Sequence, residues 1–285
     1  MRALFRSYNL LGDSLQTTPS LKAWAEEYKS RNPEIVLNTN DDYIQEVYKR
    51  IGIPLTVTTD PDLDDSSFEF VFNFDISRAF SLGATSNIPA SLCFAAMLGM
   101  KVKSTLPIFN LTDEEDEQAR KDAEKTPLIL FHPYSISCSS WTSDFANKRW
   151  PDENWTQIWN WINQDFGISA LVLGGRESKK EYPIPGIPYQ CHQFGLSLGS
   201  VAALQKHATF ILTLDNGAAH LAASQNAHLL ELYPSCLPEQ WMANLENPNG
   251  QIIHWRPAEL PADYVYAQMK PRIEERLKEG VCAKN

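Results

Sequence analysis

Cysteine is scarce in this chain, and basic residues are outnumbered. The five cysteines, Cys93, Cys138, Cys191, Cys236 and Cys282, stand far apart with no Cys-x-x-Cys pair. That spacing signals neither a zinc knuckle nor a disulfide framework and fits a reducing cytoplasm. Lys and Arg number 25 against 35 Asp and Glu, a formal net charge of −10. A surface that acidic repels polyanions, so a general nucleic-acid binder is disfavoured. No apolar run approaches the ~20 residues of a membrane span. The opening Met1-Arg2-Ala3-Leu4-Phe5-Arg6 alternates like a strand and lacks the apolar core of a secretion signal. Gly-x-Gly-x-x-Gly is missing too, which leaves a dinucleotide-dependent dehydrogenase without support.

What is present describes a globular α/β protein. The 285 residues are about twice the ~150-residue domain prior, which predicts two domains, and 43% of them are hydrophobic, with Trp 8, Phe 13 and Tyr 10. Short apolar runs alternate with longer amphipathic stretches, the pattern of βαβ units on a parallel sheet. Strands are predicted at Arg2–Tyr8, Glu34–Asn38, Phe68–Phe74, Leu128–Phe131, Ala170–Leu173, Thr209–Leu214 and Leu229–Tyr233. Helices are predicted at Leu15–Arg31, Asp42–Ile51, Glu153–Phe166, Ser200–His207 and Ala218–Ser224. Pro89–Gly99 reads as an apolar helix packed in a core; with no basic flanks it is not a membrane-surface element. The run Asp113-Glu114-Glu115-Asp116-Glu117 marks a candidate linker and a solvated helix start. The predicted organisation is a first Rossmann-like domain over 1–120, a second over 121–262, and a terminal helix over 263–285 returning to the first. Two such domains facing one another form a cleft.

Ligands of open α/β sheets bind beyond the carboxyl ends of strands, so the loops after strands hold the candidate chemistry. Asn9-Leu10-Leu11-Gly12-Asp13-Ser14 follows the first strand. Gly12 permits a tight turn and Asp13 can accept a proton, although Asp13 or Ser14 as an ordinary helix cap explains the same residues. Leu214-Asp215-Asn216-Gly217-Ala218-Ala219-His220 leads a strand into a helix whose first amides suit a phosphate or diphosphate; Asn216 or Asp215 as a simple cap is the competing reading. Lys148-Arg149-Trp150-Pro151 offers a cation for diphosphate and an indole to wall a site, or merely solvated surface. Gly174-Gly175-Arg176-Glu177 places a carboxylate where ribose hydroxyls could donate to it.

Taken in order, Gly12-Asp13, Thr17-Thr18-Pro19-Ser20-Leu21, His132-Pro133, Lys148-Arg149-Trp150-Pro151, Gly174-Gly175, Leu196-Ser197-Leu198 and Asp215-Asn216-Gly217-Ala218-Ala219-His220-Leu221-Ala222-Ala223 resemble glycosyltransferase family 9, the ADP-heptose:lipopolysaccharide heptosyltransferases. The resemblance runs over nearly the whole chain. It implies a GT-B architecture, a cytoplasmic enzyme, and an inverting, metal-independent transfer of a sugar, heptose in the family, from a nucleoside-diphosphate sugar to a hydroxyl acceptor. By this resemblance Asp13 is the catalytic base and Lys148 steadies the diphosphate. His132, Lys148, Gly175, Glu177, Asp215, Asn216, Gly217, Ala218 and His220 line the donor site, and Gly12, Ser14 and Gln16 lie on the acceptor side. No metal or cofactor is implied beyond the donor, for which an ADP-sugar is favoured, and peripheral contact with a membrane stays open. The chain departs from the family pattern in carrying Asn216 where Thr is usual and Ala218 where Pro is frequent. Glu177 falls one position earlier than the usual acidic residue, and the segment from Tyr134 to Asn147 is longer than the usual loop.

Residues 1–120 hold 11 Lys and Arg against 18 Asp and Glu. A domain that grips a phosphorylated lipopolysaccharide core should present clustered cations, so a neutral glycan, a protein side chain or a small hydroxylated molecule fits better as acceptor. The mechanism implied is in-line displacement: Asp13 takes the acceptor proton while Lys148 and the helix start at Asn216 to Ala218 stabilise the departing diphosphate. Three rivals stand beside it. Asp60-Pro61-Asp62 superficially offers a metal pair but reads as an exposed acidic loop; the fold could serve sugar-nucleotide epimerisation; or the chain could be a catalytically silent nucleotide-sugar-binding or assembly module.

Overall fold

Two parallel sheets, each in its own unit, organise the chain. The computed structural model describes residues 1–8, 10–75, 88–134, 149–174, 183–233, 246–254 and 259–282. One unit comprises Met1–Leu111 with Glu239–Asn247, the other Thr112–Pro238 with Pro248–Asn285. The architecture is α/β with two parallel sheets and covering helices.

In the first unit the strands are β1 (Arg2–Arg6), β2 (Glu34–Asn38), β3 (Thr56–Thr58) and β4 (Phe70–Asn73), with helices α1 (Leu11–Glu27), α2 (Asp42–Lys49) and α3 (Ala90–Met97). The sheet order is β3-β2-β1-β4, all parallel. Ala3, Leu4 and Phe5 of β1 are buried, as expected of an inner strand covered on both faces. Phe5 meets Trp24 of α1 edge to face, with ring centroids 5.1 Å apart, and stacks on Phe72 of β4. Ala90, Ser91, Cys93, Phe94 and Ala95 of α3 are buried, so the apolar stretch there is core, as its composition predicts.

α1 starts four residues earlier than the apolar period predicts and ends at Glu27, with Lys29–Arg31 a separate short 3₁₀ turn. Pro19 sits inside α1 and has no N–H for the Leu15 carbonyl. The Thr18 hydroxyl donates to that carbonyl instead, at 2.6 Å, and accepts from the Ile108 N–H at 2.8 Å. One side chain therefore repairs the helix bond that proline removes and anchors a distant loop of the same unit.

The second unit begins with α4 (Asp113–Lys125), followed by β5 (Ile129–His132), α5 (Asp152–Phe166), β6 (Leu171–Leu173), β7 (His192–Gln193), α6 (Leu198–His207), β8 (Phe210–Leu214), α7 (Gly217–Ser224), β9 (Leu229–Tyr233), β10 (Gly250–His254) and α8 (Ala262–Cys282). Its sheet runs β10-β9-β8-β5-β6-β7, all parallel.

Three expectations change here. The acidic run is the helix start it was read as, just past the division of the units at Leu111, but not a free linker: Thr112 and Glu115 form a reciprocal capping box that opens α4, and Asp116 pairs with Lys206 and His207 on α6. The terminal helix belongs to the second unit's core, because Val265, Met269 and Ile273, four residues apart, are fully buried there. Tyr266 and Lys270 both donate to Asp165 of α5, and Arg272 donates to the carbonyls of Leu229 and Asn249. Between β9 and β10 the chain contributes instead to the first unit, where the Glu246 carboxylate accepts from the Ser104 hydroxyl and the Thr105 N–H.

Trp150 is the third. It does not wall a site; it is 1% exposed, donates its indole N–H to the Leu260 carbonyl at 2.8 Å and meets Trp155 edge to face. Trp155 is buried, while Trp159 and Trp161 pack partly buried against the same core.

Candidate functional site

The β order of the second sheet reverses direction between β5 and β8: β6 and β7 extend from β5 on one side, and the chain then crosses to β8, β9 and β10 on the other. Loops leaving the carboxyl ends of β5 and β8 therefore flank a switch point, where open α/β sheets bind ligands. His132 ends β5 and pairs in register with Thr213 of β8. Asp215, Asn216 and the first turn of α7 follow β8 directly. Six of the donor-side residues named from sequence are thus gathered at one end of one sheet: His132, Asp215, Asn216, Gly217, Ala218 and His220.

Asn216 decides how that end is built. It is the N-cap of α7, and its Oδ1 accepts from the Ala219 N–H at 3.0 Å. Its Nδ2 donates to the Tyr134 carbonyl at 2.8 Å and to the His132 carbonyl at 3.3 Å. Capping and site-building are the same act here, because one amide closes the helix and ties the β8 loop to the β5 loop. A threonine cap has no second donor, which gives the departure at Asn216 a physical reason. With Asn216 serving Ala219, the two amides ahead of it, Gly217 and Ala218, carry no partner among the described residues and stay half-exposed. Asp215 and His220 are buried at 5% exposure each, so neither presents an open side chain.

Beneath this turn lies a residue that the sequence reading passed over. Gln205 of α6, completely buried, places its Nε2 3.0 Å from His132 Nε2 and 3.0 Å from the Ala218 carbonyl. The signal was available: Leu198, Val201, Ala202 and Gln205 share one helical face, and a glutamine in such a stripe requires partners.

His132 is buried, and burial alone pushes its pKa from the usual 6.5 down to about 4. The folded chain therefore holds a neutral imidazole where the unfolded chain binds a proton between these values. Stability present above pH 6.5 is lost as the pH falls toward 4, by about 3 kcal/mol for this one group. Burial of His192 and His228 acts in the same direction. Urea denaturation at pH 7.0 and 4.5, with wild type and His132→Gln, measures the share of His132: the variant is expected to lose less stability on acidification, and equal losses would refute the assignment.

Lys148, Gly175 and Glu177 lie outside the described residues. Their neighbours do not: Arg149 is exposed and pairs with Asp152 at 3.2 Å, and the Gly174 N–H donates to the Gln193 carbonyl.

In the first unit the loop after β1 leads to α1, and Gly12 and Asp13 occupy its second and third positions. Gly12 is thus helical rather than a tight turn. Asp13, half-buried, stands where a carboxylate is favoured by the helix dipole. Below it is a buried hydroxyl cluster: the Tyr48 oxygen lies 2.6 Å from Ser7 Oγ and 2.9 Å from Thr17 Oγ1, and Ser14 bonds it too. Burial drives the Tyr48 phenol pKa up, hydrogen bonding with Ser7, Thr17 and Ser14 opposes that rise, and the Asp13 charge adds to it. Ser14 and Gln16, expected to meet the acceptor, are buried, at 0% and 3% exposure. Among the described residues of this segment, Tyr8 and Leu10 are exposed and Leu11, Gly12 and Asp13 half-buried.

Asp60 and Asp62 are exposed, as expected of an acidic loop. The Asp60 carbonyl accepts from Asn38, and its carboxylate accepts from the Asp62 N–H, an Asx turn. Among the described residues no three His, Cys, Asp or Glu side chains are grouped to hold a metal ion. No helix among them is long and apolar enough to cross a membrane.

The family model described as glycosyltransferase family 9 (heptosyltransferase) matches residues 89–258, more than half of the chain. Lipopolysaccharide heptosyltransferase 1 of Salmonella typhimurium is 26% identical over 132 residues, 40% of this chain and 41% of that protein, so the match spans less than half of the relative. A glycosyl transferase family 9 structure from Veillonella parvula superposes with a TM-score of 0.69 at 16% identity, covering 96% of this chain and 97% of that one. TibC of enterotoxigenic E. coli, described as an iron-containing heptosyltransferase in complex with ADP-D-beta-D-heptose, gives 0.59 at 13% identity over 88% of this chain and 62% of its own. At such identities the solved structures establish likeness of fold, the GT-B type of this family.

Proposed function

Because the chain belongs to glycosyltransferase family 9, we propose that it is a glycosyltransferase whose second unit holds a nucleoside-diphosphate sugar at the β5–β8 switch point. The observation that carries this reading is the pair of half-exposed amides of Gly217 and Ala218, at the positive end of α7, set beside His132 by the Asn216 ties. Lys148, Gly175 and Glu177 are proposed to complete the donor grip, on the strength of the motif order alone. The donor is proposed to be an ADP-sugar, as in the TibC complex.

Asp13 is the proposed base. In one inverting step the acceptor oxygen attacks the anomeric carbon, the bond from that carbon to the diphosphate oxygen breaks, and the acceptor proton passes to the Asp13 carboxylate. Lys148 and the α7 amides take up the charge that develops on the leaving diphosphate. No metal is given a role in this step. The acidic excess of the first 120 residues supports a neutral hydroxyl acceptor rather than a phosphorylated one.

Thermal-shift screening with ADP-, UDP- and GDP-sugars tests the donor assignment. A ligand at ~100 times its Kd should stabilise the protein by about 2.7 kcal/mol. Stabilisation by none of them favours a catalytically silent assembly module. Where a donor is found, turnover in EDTA matching turnover without it supports metal-independent transfer, and loss of turnover restored by a metal ion refutes it.

A further inference from the structure

Two amide side chains stitch the β5 loop to the start of α7, and only one of them is a helix cap. Asn216 works from the open side. Gln205 works from beneath, where it is wholly enclosed by the α6 face that also buries Leu198, Val201 and Ala202.

The orientation of the Gln205 amide follows from its surroundings. The Ala218 carbonyl can only accept, so the group 3.0 Å from it is the NH2. That same nitrogen lies 3.0 Å from His132 Nε2, which must then be the accepting, unprotonated ring nitrogen. A neutral imidazole that accepts at Nε2 carries its proton on Nδ1. Gln205 Oε1 is meanwhile buried with no hydrogen-bond partner among the described residues. Leaving a buried amide oxygen unsatisfied is destabilising, and an apolar side chain of the same shape avoids that penalty. A glutamine whose nitrogen is fully used and whose oxygen is stranded is explained by what the nitrogen does.

We propose that Gln205 is a positioning residue of the donor site: it fixes His132 in the Nδ1–H form and holds the first turn of α7 against the β5 loop, so that the Gly217 and Ala218 amides are aimed before a diphosphate arrives. The inference rests on the donor reading above. Gln205 touches no substrate; it acts through His132 and Ala218. The protonation state of His132 is consistent with this role, since burial keeps the ring neutral at physiological pH.

The test uses the full chain. Two-bond ¹⁵N–¹H spectra of histidine-labelled protein distinguish the two neutral imidazole forms, and six histidines keep the spectrum simple. His132, assigned through His132→Gln, is expected as Nδ1–H in wild type; an Nε2–H ring overturns the proposal without any variant at position 205. In Gln205→Met the ring should move to the commoner Nε2–H form. ADP should bind that variant about tenfold more weakly, the loss expected for about one hydrogen bond's worth of preorganisation. The KM of the sugar donor should rise comparably and kcat should fall as well, because the same amides hold the bound diphosphate and take up the charge that develops on it as it leaves. A purely structural glutamine would alter the melting temperature and leave the ring form and the ADP affinity unchanged, which overturns the proposal. Wild type failing to bind ADP, UDP and GDP alike defeats the donor reading itself. Wild type binding with an unaffected Gln205→Met variant defeats only this inference.

Discussion

Asp13→Asn is expected to lower kcat by roughly 10²–10⁴-fold, the usual contribution of a positioned general base, while ADP affinity stays at the wild-type value. The substitution keeps the shape of the side chain and leaves the first turn of α1 able to form. What it removes is the negative charge and its capacity to take a proton. A carboxylate is a weak base, so its usefulness depends on placement and on proton transfer late in the displacement, as positive character builds on the sugar. Placement is what the first unit supplies: α1 begins immediately ahead of Asp13, and Ser14, Thr17 and Tyr48 brace the turn from below through buried hydroxyls. Steady-state transfer kinetics and ADP calorimetry on the same preparation separate the two effects. An unchanged rate would remove Asp13 from the mechanism, and a rate lost together with ADP affinity would point to misfolding.

Asn216→Ala should destabilise the second unit by about 3 kcal/mol, made of roughly 1 for the lost cap and about 1 for each of the two carbonyl ties. Asn216→Thr separates these contributions. Its hydroxyl still accepts from the Ala219 N–H but cannot reach across as a double donor, so about 2 kcal/mol should be lost and the cap retained. Both variants should weaken ADP binding, because the half-exposed amides of Gly217 and Ala218 are then no longer anchored to the β5 loop. Urea denaturation reads the first effect and calorimetry the second. A threonine variant as stable as wild type would mean that the ties to His132 and Tyr134 contribute nothing.

Much of the scaffold could be read from local pattern. Ile129 to Phe131 is a continuous apolar run, and Phe210 to Leu214 and Leu229 to Tyr233 are apolar but for Thr213 and Glu231, because inner parallel strands are buried on both faces. The strand-turn-helix at Asp215 to His220 was legible for the same reason, and of its two competing readings the cap is what Asn216 forms, the anion site being the one proposed above. Errors arose where a residue's role depends on a distant partner. Trp150 beside a basic pair looks like a site wall until the Leu260 carbonyl and Trp155 are seen around it. Ser14 and Gln16 were placed on the acceptor side by their position beside the Gly12-Asp13 motif, which does not show which face of α1 they take; both are buried. The acidic run after Thr112 looked like a linker because nothing in sequence shows Lys206 and His207 waiting opposite Asp116.

Period and punctuation, both properties of neighbouring residues, were enough to establish a parallel α/β chain, the order of its motifs and the family they resemble. The tertiary structure alone decided which unit owns the last helix, that Asn216 spans two loops, and that Gln205 reaches His132 73 positions away in the chain. The division follows from range: helix and strand signals are written every two to four residues, whereas a hydrogen bond within a buried turn depends on where the sheet's crossovers bring its ends together.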